Sequence, residues 1–324
     1  MRLLKLVPDH TNIEFTKWRT LAMGISLLLI IASIALVAVR GLNLGVDFVG
    51  GQMVRVSFNQ PVQVDELRAT VGQLGLGEPT IQQFGSPQDV SIRMPLPEGG
   101  DGAANAAASK LKAAISAKHP DAKFGSIDTV SGKVSGELFR TGAISMALAM
   151  LAISIYIWFR FEWQFGFGSL FALVHDVALT FGFFALTQLE FDLNSVAAVL
   201  TIIGYSLNDT IVVYDRIREN LRKYRKMEIV PLLDLSVNET LSRTIMTSLT
   251  MIIALAALLV WGPEVIFGFT AAMLLGIFIG TYSSIYMAAP MLVWLKVGQD
   301  SFVVKETAAT MGAERMGPTD GARP

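Results

Sequence analysis

Six long apolar runs constrain this chain more than any other feature, because a helix that is apolar on all sides needs apolar surroundings. Each run is long enough to cross a hydrocarbon core of ~30 Å as a single helix. The runs cover residues 21–39, 138–158, 165–186, 195–213, 244–261 and 265–295. The sequence therefore predicts a polytopic α-helical membrane protein with six transmembrane helices.

The composition agrees with a membrane location and excludes several other classes of protein. Of the 324 residues, 52% are hydrophobic and 16% are charged, a balance that soluble domains rarely reach. The net charge of −1 gives no support to nucleic-acid binding. Cysteine is absent, which excludes disulfides and thiolate metal or redox sites. The first run has 19 residues, longer than the core of a signal peptide, and is predicted to be a retained anchor.

The distribution of basic residues predicts which side of the membrane each loop faces. The loops at 187–194 and 262–264 contain no Lys or Arg. Basic residues close to a span resist transfer across the membrane. The segment 215–243 carries a cluster of them, namely Arg216, Arg218, Arg222, Lys223, Arg225, Lys226 and Arg243. This segment and both termini are therefore predicted to be cytoplasmic.

These assignments divide the chain into five parts, with the largest loop on the outer side. Long external domains translocate largely regardless of their charge. The parts are a cytoplasmic N-terminus at 1–19, a first transmembrane helix at 20–39, a periplasmic domain at 41–134, five further transmembrane helices within 137–295, and a flexible cytoplasmic tail at 296–324.

The external segment has the pattern of a small α+β domain. Strands are predicted from alternation and composition, and helices from apolar residues at helical spacing. The predicted elements are strands at 52–58, 80–84, 90–94 and 124–130 and helices at 62–74 and 103–118. Their order, β-α-β-β-α-β, predicts a split βαβ, ferredoxin-like fold. The segment contains no catalytic constellation, and His119, just before Pro120, is interpreted as a helix-end residue.

Polar residues within the spans form stripes along single helix faces. An ionisable group at mid-bilayer costs roughly 2.5–3.5 kcal/mol on insertion scales, so each one needs an explanation. The third, fourth and fifth spans carry His175, Asp176, Thr201, Tyr205, Asn208, Asp209, Asp215, Arg243, Thr247 and Thr250. The sixth has a ladder of small residues, which lets another helix approach closely. Its members are Gly268, Ala272, Gly276, Gly280, Ser284 and Ala288.

Two interpretations of Asp209 are open at this point. In the first, its carboxyl changes protonation during transport and Arg243 stabilises the charged form. In the second, the two residues form a static buried ion pair. We favour the first, because intramembrane carboxylates usually mark ion pathways. For Asp176 the two interpretations carry equal weight, since His175 or a hydroxyl could hold it statically. Residues 215–220 are predicted to be a solvated helix end.

Five segments, taken in order along the chain, resemble a known family. They are GLNLGVDFVGG at 41–51, FRFEWQF at 159–165, LVHD at 173–176, GYSLNDTIVVYDRIREN at 204–220 and NETLSRTIMTS at 238–248. Together they resemble the SecF branch of the SecD/SecF family, which serves the bacterial Sec translocase and lies within the resistance-nodulation-division superfamily. The resemblance extends over about residues 15–295.

The resemblance implies an ion-driven subunit of protein export without a hydrolytic active site. It would pair with SecD and use the proton motive force, or sodium ions as in some marine bacteria. It would help to draw unfolded polypeptides outward after SecA and the SecYEG channel have started them. It would lie in the bacterial inner membrane, surrounded by membrane lipid, and no metal, cofactor or nucleic acid is implied. The implied relay residues are Asp209, Arg243 and Asn208, and the accessory polar residues of the spans are Asp176, His175, Tyr205 and Thr247.

The junction between the first span and the external domain is rich in glycine. We interpret it as a compliant turn through which the helix bundle moves the domain, with a plain tight turn as the alternative. The residues of this predicted coupling turn are Gly45, Asp47, Phe48, Gly50 and Gly51.

Three other functions remain as alternatives. The first is half of a small-molecule exporter of the same superfamily, and the second is a passive scaffold without an ion cycle. The third is an intramembrane enzyme. It is disfavoured because the chain has no H-E-x-x-H helix and no Ser nucleophile flanked by glycines within a span.

Overall fold

A computed structural model describes residue 8, residues 11–84 and residues 86–298 of the chain. The predicted N-terminus at 1–19 lies partly outside these described residues, and so does most of the predicted tail at 296–324. The helices are α1 (Arg19–Arg40), α2 (Val46–Val49), α3 (Val64–Gly72), α4 (Gly100–Lys118), α5 (Gly132–Arg160), α6 (Trp163–Thr187), α7 (Leu193–Lys223), α8 (Ile229–Trp261), α9 (Phe267–Ser283) and α10 (Ala289–Trp294). The strands are β1 (Gly51–Ser57), β2 (Thr80–Phe84), β3 (Ser86–Met94) and β4 (Lys123–Val130).

Within the described residues, six helical stretches are long and apolar enough to cross a membrane, which confirms the predicted fold class. They are α1 with the preceding 3-10 turn, α5, α6, α7, α8, and α9 continued into α10. Leu28 and Ile31 of α1 are 65% and 60% exposed, as expected of side chains that meet lipid. Between α9 and α10 the chain forms a π-helical turn at Ser284–Ala288, which the sequence analysis did not predict.

The four strands form one antiparallel sheet in the order β2-β3-β1-β4. This is the strand order of a split βαβ fold, so the ferredoxin-like prediction is confirmed. The inward face of the sheet packs on α3 and α4, where Leu67 and Leu111 are fully buried against Val54 and Ile92. Burial of each such side chain contributes about 1.5–3 kcal/mol, which is how a domain of this size keeps its shape.

Helices α7 and α8 continue well beyond their apolar runs and pack against each other as a hairpin. The prediction of a solvated helix end at 215–220 is therefore wrong for Asn220, which is fully buried. Its side-chain amide donates to Ser236 Oγ at 2.9 Å and to Glu239 Oε2 at 2.7 Å. The polar partners on α8 replace water, which is why a polar sequence can be buried here.

The small-residue ladder of the sixth span faces α7, as the sequence predicted for a closely approaching helix. A Cβ added at Gly280 would lie 3.0 Å from the Cβ of Ser206, and one added at Gly276 would overlap Ile202. Only hydrogen at these positions allows the two backbones to come so close. The close approach brings the serines at the end of α9 next to the polar stripe of α7.

Candidate functional site

Asp209 lies inside the bundle, where three elements meet. Its side chain is buried, with the residue 5% exposed. Thr244 of α8 donates to Oδ1 at 2.9 Å, and Ser284 of the π-helical turn donates to Oδ2 at 3.4 Å. The carboxyl therefore joins α7, α8 and the sixth span through hydroxyl groups, with no cation in direct contact among the described residues.

The other predicted relay residues lie on the outer face of the same two helices. Asn208 and Arg243 are exposed, and Thr247 is exposed with its hydroxyl donating to the Arg243 carbonyl at 3.0 Å. Among the described residues, no ion pair within 4.0 Å joins Arg243 to Asp209. The two residues are adjacent through Thr244, which follows Arg243 and contacts the carboxylate.

Asp176 is fully buried and is held from three sides. Nδ1 of the neighbouring His175 lies 2.8 Å from Oδ1. Ser206 of α7 and Ser283 of α9 both donate to Oδ2, the latter at 2.8 Å. The structure thus brings Asp176 and His175 together with two serines. Neither serine was among the site residues predicted from the sequence.

A second chain of hydroxyls continues from Tyr205. Its OH donates to Ser248 Oγ of α8 at 3.1 Å, and Ser248 is 2.7 Å from Thr281 Oγ1 of α9. Ser248 and Thr281 were missed as site residues, because a small hydroxyl residue in an apolar helix gives no periodic signal of its own. The polar interior of the bundle therefore holds three groups of side-chain hydrogen bonds, centred on Asp209, Asp176 and Ser248.

The predicted coupling turn is bonded to the start of α7, the helix that carries Asp209. Asp47 Oδ2 accepts a hydrogen bond of 3.0 Å from the backbone N–H of Leu193, the first residue of α7. The N–H of Gly45 donates to the Phe191 carbonyl at 2.9 Å. The ring of Phe48 packs on that of Phe191, with centroids 6.0 Å apart. A carboxylate at a helix N-terminus is also favoured by the helix dipole.

The two last glycines of this turn, Gly50 and Gly51, have φ of +77° and +114°. These angles belong to the region that side-chain-bearing residues rarely adopt. They redirect the chain from α2 into β1, one of the two central strands of the sheet. The turn therefore lies between the helix bundle and the sheet and is bonded to the bundle.

A carboxylate outside the spans completes this junction. Glu190, between α6 and α7, lies 3.6 Å from Arg55 of β1, and Arg55 also pairs with Asp128 of β4 at 2.6 Å. Burial raises the pKa of Glu190 above its ordinary value, and Arg55 opposes part of that rise. The ion pair links the loop before α7 directly to the sheet.

The raised pKa of Glu190 predicts a pH dependence of stability. The folded state binds this proton more tightly than the unfolded chain. The stability that the protonated Glu190 contributes is therefore complete at pH values below its pKa in the unfolded chain. It is lost as pH rises through its pKa in the folded protein. We expect the midpoint of thermal unfolding of the wild type, relative to that of Glu190→Gln, to fall as pH rises above the ordinary glutamate pKa of about 4.3. Scanning fluorimetry of both chains in detergent measures it, with Glu14→Gln, whose side chain is 71% exposed, as the control. Equal slopes in wild type and Glu190→Gln would contradict the assignment.

Comparisons with known proteins agree with these features over nearly the whole chain. The family profile described as "Protein export membrane protein SecD/SecF, C-terminal" matches residues 110–298, and the "SecD/SecF GG Motif" matches residues 35–62, which include the coupling turn. A protein translocase subunit SecF from Rhodobacter capsulatus is 46% identical, with 90% of this chain and 91% of the relative covered. A SecF from Rickettsia rickettsii is 42% identical, with 89% and 94% covered.

Two solved structures share the fold. A crystal structure of SecDF, described as a translocon-associated membrane protein, from Thermus thermophilus is 34% identical with a TM-score of 0.81. A second SecDF structure, in a super-membrane-facing form, is 33% identical with a TM-score of 0.65. They cover 90% and 94% of this chain, which spans only 40% of either SecDF chain. These matches favour a translocase subunit over half of a small-molecule exporter. This multi-pass membrane protein belongs to the SecF family of protein translocase subunits.

Proposed function

We propose that this chain works with SecD to use the proton motive force for the translocation of proteins across the bacterial inner membrane. The observation that carries the proposal is the buried carboxyl of Asp209, held by Thr244 and Ser284 where three helical elements meet. A group that is ionised in one state and neutral in another must be bonded differently in each. Asp209 is bonded to two elements besides its own, so its protonation acts on the packing of the bundle.

The exposed polar face of α7 and α8 supports pairing with SecD. Polar side chains that face lipid are unfavourable, and they normally face a bundle interior or another polar helix. The exposed residues of this face are Thr201, Gly204, Asn208, Arg243, Thr247 and Thr250. The solved SecDF chains are more than twice as long as the part that this chain matches. In the proposed complex SecD covers this face, and Arg243 and Asn208 then lie in a shared polar interior next to Asp209.

The proposed cycle uses this chain's residues in three steps. A proton reaches Asp209 from the outer side and removes its charge, so the hydroxyls of Thr244 and Ser284 lose an ionised acceptor. The helices then repack, and α7 moves the coupling turn through Asp47 and thereby the external domain. One elementary charge crossing 100 mV yields about 2.3 kcal/mol, enough to bias two packings that differ by a few kcal/mol.

The remaining partners and the orientation belong to the same proposal. The basic segment between α7 and α8 and both termini lie in the cytoplasm, and the α+β domain lies in the periplasm. SecYEG and SecA supply an unfolded polypeptide, which the domain helps to draw outward. The role is transport rather than catalysis, and H⁺ is the coupling ion, with Na⁺ as the alternative to test.

A flux assay in lipid vesicles tests the proposal. The chain is reconstituted with and without SecD, a proton gradient is imposed, and internal pH is recorded, with a sodium gradient as a parallel arm. We expect proton flux that requires both subunits and stimulated export by vesicles that also hold SecYEG and SecA. If the complete complex shows no proton flux under the proton gradient and no sodium flux under the sodium gradient, the ion-driven role is overturned and a passive scaffold remains.

A further inference from the structure

Two consecutive serines at the end of α9 contact two different buried carboxylates. Ser283 Oγ donates to Asp176 Oδ2 at 2.8 Å, and Ser284 Oγ donates to Asp209 Oδ2 at 3.4 Å. Both serines are fully buried. One peptide unit of the sixth span therefore lies between the carboxyl group of α6 and the carboxyl group of α7.

Each of these serines also has a second acceptor on its own helix. Ser283 Oγ lies 3.2 Å from the Gly280 carbonyl oxygen, and Ser284 Oγ lies 3.0 Å from that of Thr281. A hydroxyl has one proton, so it cannot satisfy both acceptors well at once. When the carboxyl is ionised, the hydroxyl proton is drawn to it, because bonds to charged acceptors are stronger. When the carboxyl is protonated, it can donate to the serine oxygen, and the serine proton turns to the carbonyl.

The two serines are also at the place where the helix changes its geometry. Ser284 begins the π-helical turn Ser284–Ala288, directly after the last residue of α9. Single π-turns within α-helices occur frequently at functional sites. A serine proton that turns from the carboxyl to the backbone carbonyl therefore changes the hydrogen bonding of a segment that already departs from the α-helix.

A second link runs through α7. Ser206 donates to Asp176 Oδ2 and lies 3.5 Å from Ser283 Oγ. It precedes Asp209 by three residues on the same helix, about one turn. The two carboxyl groups are thus connected both along the sixth span and along α7.

Few charged groups face either carboxyl. For Asp176, the hydrogen bonds and ion pairs of the described residues give one titratable partner, His175. Helix α9 adds the titratable Tyr282, whose ring lies 6.1 Å from that of His175 and whose OH donates to the Ala22 carbonyl of α1. For Asp209, α8 brings Arg243, outside ion-pair distance. Tyr205 of α7 is bonded instead to Ser248. A charge on either carboxyl is therefore screened only weakly by its surroundings.

From this geometry we infer that Asp176 is a second protonatable carboxyl of the transport cycle, and that Ser283 and Ser284 couple its protonation to that of Asp209. This inference rests on the proposed titration of Asp209. When one carboxyl loses its charge, the hydrogen bond from its serine is released. Ionisation of the other carboxyl then becomes more favourable. The pair then titrates as a coupled system, and the sixth span responds to the state of both groups.

Infrared titration of the full chain bound to SecD in lipid vesicles tests the inference. Aspartate carrying ¹³C in its side chain identifies the carboxyl bands, which are assigned by their loss in Asp209→Asn and Asp176→Asn. We expect two titrating bands. We also expect the titration midpoint of Asp209 to move by about one pH unit in Asp176→Asn, and in the same direction in Ser283→Ala. Ser169→Ala is the matched control. The hydroxyl of this buried serine of α6 donates to the backbone carbonyls of Phe165 and Gly166 and, within the part of the chain that the structure describes, to no carboxylate, so its loss should leave the midpoint unchanged.

The possible results separate the two proposals. If Asp209 titrates with the same midpoint in wild type, Asp176→Asn and Ser283→Ala, the coupling is wrong and the relay role of Asp209 stands. If no aspartate band titrates, both the coupling and the relay fall. Should Asp176→Asn fail to assemble with SecD, Ser283→Ala decides alone, since it keeps both carboxyls and removes only the connecting hydroxyl.

Discussion

Replacement of Asp209 by asparagine is expected to reduce proton flux and export stimulation to the level of vesicles without this subunit, while assembly with SecD remains intact. Asparagine has nearly the same shape, and its side-chain oxygen can still accept from Thr244. Its NH₂ group can donate to the oxygen of Ser284, whose own proton then turns to the Thr281 carbonyl. It cannot gain or lose a proton. The rates of proton flux and of stimulated export should therefore fall at least about tenfold. A tenfold fall corresponds to about 1.4 kcal/mol in the activation free energy of the rate-limiting step.

Flux and export are measured in the same reconstituted vesicles, and assembly is measured by co-purification with SecD. Asp65→Asn is the matched control. It makes the same chemical change outside the bundle, at a side chain of α3 that is 91% exposed. Export and flux at wild-type level in Asp209→Asn would show that the carboxyl is only a structural acceptor.

The second large effect is expected at the coupling turn, from Gly51→Ala. Gly51 has φ of +114°, and an added Cβ would lie 2.7 Å from the carbonyl oxygen of Met94 on β3. A side chain in this conformation is strained by about 1–3 kcal/mol, and the contact adds to that cost. Strand β1 must shift where it pairs with both neighbours, since Gly51 is opposite Val130 and Gln52 is opposite Met94.

We expect Gly51→Ala to lower the unfolding temperature of the α+β domain by roughly 10 °C, since 1 kcal/mol corresponds to about 4–8 °C for a domain of this size. Export should fall about tenfold, because the turn no longer holds the sheet against the start of α7. Limited proteolysis and export assays measure the two effects. Gly136→Ala on α5 is the control, because a Cβ there meets nothing within 4 Å. Unchanged export and stability in Gly51→Ala would show that the turn is a plain connection.

The sequence predicted the architecture well, because transmembrane spans have a strong hydropathy signal and strands have a strong alternation signal. An apolar run must be helical in lipid to satisfy its backbone, so the spans at α1 and α6 follow from hydropathy alone. The strand Thr80–Phe84 was predicted with its observed bounds. The predicted bounds of α7 and α8 stopped where apolar residues stop, because a helix that continues into a polar hairpin has no hydropathy signal.

The site was predicted only in part, for a physical reason. Carboxylates such as Asp176 stand out within an apolar helix, because their burial is unfavourable. Ser283 and Ser284 do not stand out, since a serine costs little in a span and resembles alanine in a small-residue ladder. Which carboxyl each serine contacts depends on the close approach of α9 to α7. That approach depends on Gly276 and Gly280 and on side-chain positions in three dimensions.

The most direct test of the central claim follows the carboxyl of Asp209 itself while the SecD-bound complex exports a polypeptide under an imposed proton gradient. Time-resolved infrared spectroscopy with labelled aspartate reports whether this group is protonated or ionised at each stage. We predict that its band alternates between the two forms in step with export, and that the alternation stops when the gradient is collapsed. A single ionisation state throughout export would contradict the account.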